Sequence, residues 1–254
     1  MDAVALPPRL IAGTGTSESA WKVSPQLAAA PCHPLDWWLT QDTRLVVLAP
    51  HPDDEVLACG ALLQQHANRG GECLVIAATD GEASHPPTPQ RSTSQLALTR
   101  QAETRKGLNR LGLGEENVVR LGLPDGQVQG YLSNLCSALE ICLRPTDLLV
   151  TTYQLDGHPD HEACGSAAVS VCSKINCRLA QAPVWLWHWA GPNERLVPWH
   201  RLQGFRVPPA SRALKLQALS EHVSQIATAT DDGAPILEAS ILERAQRDVE
   251  YFFV

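Results

Sequence analysis

From Arg44 onward, short runs that are apolar at nearly every position alternate with longer stretches whose apolar residues recur at helical spacing. Leu45–Ala49, residues 72–78, 117–121, Leu148–Thr152 and 184–189 have the length and aliphatic content of strands. Between them Asp54–Asn68, residues 95–111, 131–143 and 163–172 read as helices, the first stopped by Gly70-Gly71 and the second by Gly112 and Gly114. Near the C-terminus Leu216, Leu219, Val223 and Ile226 form one core-facing stripe of a single helix. Strands without polar alternation are buried on both faces. The pattern therefore predicts an α/β three-layer sandwich, a mostly parallel sheet with helices on either side. In such sheets ligands bind beyond the carboxyl ends of the strands.

Residues 1–40 lack this rhythm. They are irregular and rich in Pro, Ala and Ser, and read as an N-terminal arm packed on a single domain spanning 41–254. Composition narrows the partners. With 44% hydrophobic residues, and 20 Lys and Arg against 27 Asp and Glu for a formal charge of −7, the chain is globular and mildly acidic. An acidic chain has no basic face for nucleic acid or anionic lipid, so neither is an expected partner. No apolar run approaches the roughly 20 residues of a membrane span. The first fifteen residues lack the apolar run and small-residue cleavage site of a secretory leader. Eight cysteines (32, 59, 73, 136, 142, 164, 172 and 177) include no C-x-x-C pair. They read as free thiols in a reducing, cytoplasmic setting.

Two predicted strands run into loops crowded with His and Asp. After Pro50 comes His51-Pro52-Asp53-Asp54-Glu55, whose three adjacent acids repel unless a cation neutralises them. Pro52 suits a first helical turn, so residues 51 and 54 project to one side as an imidazole and a carboxylate, donors that zinc accepts. Asp53 is aimed elsewhere, free to act as a base. The second loop, Asp156-Gly157-His158-Pro159-Asp160-His161, offers either two ligands or one ligand and one ring facing a substrate. Helix capping and a polar surface turn would each explain one loop alone, but not both at one sheet edge. A catalytic metal site typically has three protein ligands. With His51, Asp54 and His161 in those positions, Asp53 is left as general base and protonated His158 as partner of a developing oxyanion, with Asp160 orienting one of the histidines. This is the chemistry of amide hydrolysis.

The same residues resemble the LmbE-like/PIG-L family of metal-dependent de-N-acetylases. The resemblance rests on Ala49-Pro50-His51-Pro52-Asp53-Asp54-Glu55, Thr79-Asp80-Gly81-Glu82, Arg100-x-x-Glu103, Leu123-Pro124-Asp125-Gly126 and His158-Pro159-Asp160-His161, in the family's order over residues 45–171, and more weakly on residues 222–225 and 250–252. It implies a Rossmann-like domain whose zinc, or Fe2+ or another divalent ion, is held by His51, Asp54 and His161. Asp53 would be the base, His158 would face the tetrahedral intermediate, and Arg100 and Asp125 would contact substrate. The implied substrate is a small-molecule conjugate of an N-acetylglucosamine-like amino sugar, and the products are acetate and a free amine.

Other readings compete. Arg100 and Glu103, three apart on a predicted helix, also fit a surface ion pair of little energetic weight. A two-His, one-carboxylate set of His51, Asp53 and His161 would suit a non-haem Fe(II) oxygenase, but such sites usually sit on jelly-roll barrels of many short alternating strands. A non-catalytic sugar-binding relative would be expected to lack a ligand or the base. If residues 184–189 form a strand, Trp185, Trp187 and Trp189 share one face, either a stacking wall for a sugar or a surface covered by the arm, with His188 opposite. His33, His66, His85, His200 and His222 lack a carboxylate or His partner at ligand spacing and read as structural or solvated. The Pro-rich loop 84–94 is long enough to cover a site.

Overall fold

A computed structural model of the chain describes residues 9, 11–227 and 235–254. Most of the segment examined for a secretory leader therefore lies outside the described residues. The strands are β1 (Cys32–His33), β2 (Leu45–Ala49), β3 (Cys73–Ala77), β4 (Val118–Arg120), β5 (Leu148–Thr152), β6 (Arg178–Ala182), β7 (Leu202–Arg206) and β8 (Val249–Phe253). The main helices are α1 (Glu18–Lys22), α2 (Pro25–Ala29), α3 (Leu35–Trp38), α4 (Asp54–Asn68), α5 (Thr93–Arg110), α6 (Leu132–Cys142), α7 (Pro159–Ile175), α8 (Leu186–Trp189), α9 (Pro209–Ser220), α10 (Val223–Ile226) and α11 (Ala239–Ala245).

Among the described residues the strands form one sheet in the order β1-β7-β8-β6-β5-β2-β3-β4. Every neighbouring pair is parallel except those of β8, which runs antiparallel to β6 and β7. This is the expected mostly parallel α/β sandwich. Every residue of β2 and β5 is buried, which is why these strands carry no polar alternation. The chain leaves β2 for β3 and β4 on one side, then returns to place β5 on the other. The carboxyl ends of β2 and β5 thus flank the topological switch point, where open α/β sheets bind ligands.

Two predicted elements differ. Residues 184–189 are not a strand: the local strand is β6, and the Asp156 carboxylate accepts the N–H groups of Val184, Trp185 and Leu186, each at 2.9 Å, where the single turn α8 begins. The predicted C-terminal helix breaks after Ser220. His222 turns inward, completely buried, and Val223 is left 57% exposed, so the stripe does not continue across the break.

The first forty residues are tied to the domain by specific contacts. β1 adds an edge strand beside β7. Trp21 is fully buried, with its indole N–H on the Trp187 carbonyl at 2.9 Å and its ring edge-on to Trp187. The Glu18 carboxylate receives Arg247 at 2.8 and 2.6 Å. Trp38 packs against Phe252. Among the described residues no helix is long and apolar enough to cross a membrane.

Candidate active site

β2 delivers the chain to Pro50, and α4 starts at Asp54, so His51 and Asp54 lie across a tight turn above the sheet. The turn is strained at one residue: Asp53 has φ 124°, a conformation L residues rarely adopt. Two buried groups hold it there. The Asp53 N–H donates to Glu55 Oε2 at 3.0 Å, and its carboxylate receives Arg100 Nη2 at 3.2 Å. Arg100 is fixed in turn on the carbonyls of Pro52 (2.7 Å) and Gly81 (2.8 Å). Gly81 is at φ 67°, and a Cβ there would strike the guanidinium. Strain held in place by surrounding contacts is a mark of functional sites.

Asp54 points the other way. Its Oδ2 stands 3.2 Å from His51 Nδ1 and 3.2 Å from His161 Nε2, and these two nitrogens are 3.3 Å apart. A tetrahedral centre with ligand distances of about 2.0–2.2 Å would separate neighbouring donors by about 3.3–3.6 Å. The triangle fits such an ion. Wider donor groupings also exist: His158 with His51 and His161, and Asp125 and Asp160 with His51, each within 4.8 Å. The latter pair faces the other nitrogen of His51, Nε2, at 3.2 Å each, and so can orient the ring. Asp160 is fully buried and also accepts the N–H groups of Gly126 and Val128. On the other histidine, Nδ1 of His161 is bound to Asp156 at 2.8 Å. Each imidazole thus turns one nitrogen into the triangle and ties the other to carboxylate, the usual support of a metal-ligating histidine.

The electrostatics separate the two adjacent acids. Burial opposes ionisation of Asp54, but His161 and His51 overcome it and hold its pKa well below the usual carboxylate range. Burial raises Asp53 to about 7, with Arg100 opposing and Asp54 adding to the rise. His158, the N-cap of α7, is pushed down to about 4 by burial and by His161 and His51. Its Nδ1 accepts the Asp160 N–H at 3.2 Å, so the neutral ring carries its proton on Nε2. Burial and the two neighbouring histidines thus favour a neutral ring over the expected imidazolium.

These groups line a cavity of about 430 Å³ that also includes Arg100, Asp125, Trp185 and His188. Asp125 is set by the N–H of Ala83 at 2.8 Å, while Glu82 accepts the Asp125 N–H. Arg100 and Glu103 do not form a surface pair. Both are buried, and Glu103 instead accepts the N–H and hydroxyl of Ser224. The three indoles do not share a face, because α8 is helical: Trp187 packs on Trp21, Trp189 donates to the Asp156 carbonyl, and Trp185 alone reaches the cavity. His188 lies beside it in the lining, not on an opposite face. Asp53, the carboxylate of the oxygenase alternative, sits on Arg100, whereas Asp54 stands between the histidines. Sequence reasoning missed Asp156. The signal was present, since a metal-ligating histidine needs a carboxylate or carbonyl for its second nitrogen, and an acid stands five residues before His161.

A parallel α/β sheet with two histidines and a carboxylate gathered at its switch point defines a Rossmann-like protein with a candidate metal centre. The chain belongs to the PIG-L family: the GlcNAc-PI de-N-acetylase profile matches residues 46–172. It is 29% identical over 144 residues to mycothiol S-conjugate amidase of Streptomyces coelicolor, covering 48% of this chain and 49% of that protein. It is also 29% identical over 135 residues to a probable N-acetyl-alpha-D-glucosaminyl L-malate deacetylase 2 of Bacillus subtilis, covering 50% and 59%. The chain thus matches about half of the length of these curated relatives. Among solved structures, N,N'-diacetylchitobiose deacetylase of Pyrococcus horikoshii superposes with a TM-score of 0.60 at 19% identity, over 84% of this chain and 80% of that one, a likeness of fold.

Proposed function

We propose that the protein is a metal-dependent hydrolase that removes the N-acetyl group from an N-acetylglucosamine-like amino-sugar conjugate, releasing acetate and a free amine. The observation that carries the reading is the triangle of His51 Nδ1, Asp54 Oδ2 and His161 Nε2, with Asp53 held beside it by Arg100. Family membership and the named activities of the relatives support the same reaction.

The donor set of two imidazoles and one carboxylate suits zinc, and Fe2+ also accepts it. A divalent ion held there supplies Lewis acidity toward the acetamide carbonyl and the attacking water. Asp53, raised to about 7, takes the proton of that water as the new C–O bond forms. The Nε2–H of His158 donates to the developing oxyanion. When the C–N bond breaks, the proton on Asp53 passes to the departing amine. Asp156 and Asp160 orient the two imidazoles, and Arg100 and Asp125 contact the sugar at the cavity edge. A reducing cytoplasmic setting fits eight cysteines spaced without a C-x-x-C pair.

The test is to load the protein with Zn2+ or Fe2+, incubate it with a panel of N-acetylglucosaminyl conjugates, and measure free amine and acetate. Equal yields of both are expected. Stoichiometric metal with no amine from any conjugate would overturn the reading.

A further inference from the structure

Two parts of the chain contribute side chains of different average polarity to the cavity lining. The segment matched by the family profile, residues 46–172, supplies Asp53, Asp54, Asp125, Arg100 and three of the four lining histidines. The remainder of the chain supplies mostly apolar side chains, Ile11, Trp185, Ile236, Leu237 and Ile241, which join Leu57 of α4 in the same lining, together with His188, Gln225 and Glu238. Ile236 is 37% exposed, an apolar side chain left facing the opening.

Ile11 is placed there by a segment anchored at both ends. On one side the Thr16 N–H donates to the His188 carbonyl at 2.9 Å, its hydroxyl to the Ala190 carbonyl at 2.7 Å, and Arg244 caps the Thr16 carbonyl at 2.8 Å. Gly15, at φ 57°, lies so close to the His188 ring that a Cβ would come within 2.5 Å of it. On the other side Arg9 pairs with Glu162 of α7 at 3.0 Å.

From these contacts we infer that the cavity selects an amino sugar bearing an apolar aglycone, alkyl or aryl, and that Ile11 and Ile236 help form the selecting wall. The inference rests on the deacetylase reading for the placement of the sugar. The acetamide and ring hydroxyls need the polar groups of the matched segment. What extends beyond the ring meets aliphatic side chains and the face of Trp185, and a carboxylate there would be desolvated near the like charge of Glu238.

The experiment compares methyl, butyl, octyl and phenyl N-acetylglucosaminides with the L-malate conjugate. Two readouts are used: kcat/KM for amine release by the metal-loaded protein, and Kd by calorimetry with the Asp53→Asn protein. Each buried methylene is worth about fourfold in affinity. Both readouts are therefore expected to improve at least about tenfold from methyl to butyl, with the malate conjugate weaker than butyl. The phenyl and octyl arms separate stacking on Trp185 from aliphatic contact. Ile11→Asp and Ile236→Asp should flatten the alkyl series while metal content stays stoichiometric. A flat Kd series in the parent protein, or tighter binding of the malate conjugate, overturns the inference. A steep Kd series with no amine released overturns the deacetylase reading instead.

Discussion

Asp53 and Asp54 stand at the front of helix α4, yet the helix is broken: Cys59 has φ −150° and ψ 29°, outside helical values. The break is held by a buried pair brought from far along the chain. Glu250, on β8, accepts the N–H groups of Ala61 at 2.8 Å and Leu62 at 2.9 Å, acting as an internal cap for the second half of the helix. Lys215, on α9, neutralises Glu250 at 2.7 Å and donates to the Leu57 carbonyl at 3.1 Å, on the near side of the break. Lys215 is 4% and Glu250 5% exposed, so water cannot replace either partner. Glu250→Ala removes two hydrogen bonds to a charged acceptor, about 1.5–3 kcal/mol each, and strands a buried ammonium. These effects overlap, and loss of one member of a buried pair is worth about 3–5 kcal/mol. That is a large share of a total stability of about 5–15 kcal/mol.

Thermal and urea unfolding, followed by circular dichroism, measure it. For a chain of this size the loss corresponds to a fall in Tm of roughly 6–20 °C. The cycle of Lys215→Met, Glu250→Gln and the double variant should show coupling of at least about 1.5 kcal/mol, because each single variant leaves the other group buried and unpaired. A Glu250→Ala loss below about 1 kcal/mol, or an additive cycle, would refute the claim that this pair holds the break.

Three further outcomes follow from the site and its surroundings. Asp53→Asn should retain stoichiometric metal by atomic absorption and lose about 10²–10⁴ in kcat, whereas His161→Ala should lose metal and turnover together; near-parental acetate release by Asp53→Asn would remove it as the base. Asp156→Asn should lower metal affinity about 10–100-fold in a chelator competition, because Nδ1 of His161 loses its carboxylate. His222 is fully buried, and burial lowers its pKa from 6.5 to about 3, so the folded state excludes a proton that the unfolded chain binds. Its contribution is present above pH 6.5 and is lost as pH falls toward 3, at up to about 1.4 kcal/mol per pH unit. The stability difference between the parent and His222→Gln, from urea unfolding at pH 4 to 7, should shrink toward low pH; a difference independent of pH would count against this.

What was legible in the sequence was local. Central strands β2 and β5 are readable because burial on both faces leaves no charged residue and no polar alternation, and the following loops stand out because acids and histidines crowd them. β6 escaped because Arg178 and Gln181 interrupt its apolar run, although Gln181 is buried and bound to the Gly165 carbonyl. β8 escaped for a related reason: Glu250 occupies an inward position that a sequence pattern assigns to solvent, and its partners lie 35 and about 190 residues away. The apolar lining was illegible because Ile11, Leu57, Trp185 and Ile236 come from four separate segments, and no spacing connects them.

From the sequence, turn geometry gives the two adjacent aspartates different work, Asp54 as ligand and Asp53 as base, and Asp53 is a ligand only in the oxygenase alternative. Backbone geometry separates them. At Asp54 the chain is already helical, and the side chain falls between His51 and His161. One residue earlier, φ 124° swings the Asp53 carboxylate to Arg100. A relaxed backbone at Asp53 would not fix that direction, because nothing in the side chain itself prefers a guanidinium to a cation nearby. The Glu55 acceptor and the Arg100 clamp on Pro52 and Gly81 hold the strained conformer. The buried polar groups behind the turn therefore do more than neutralise charge: they keep the proposed base apart from the proposed metal ligand.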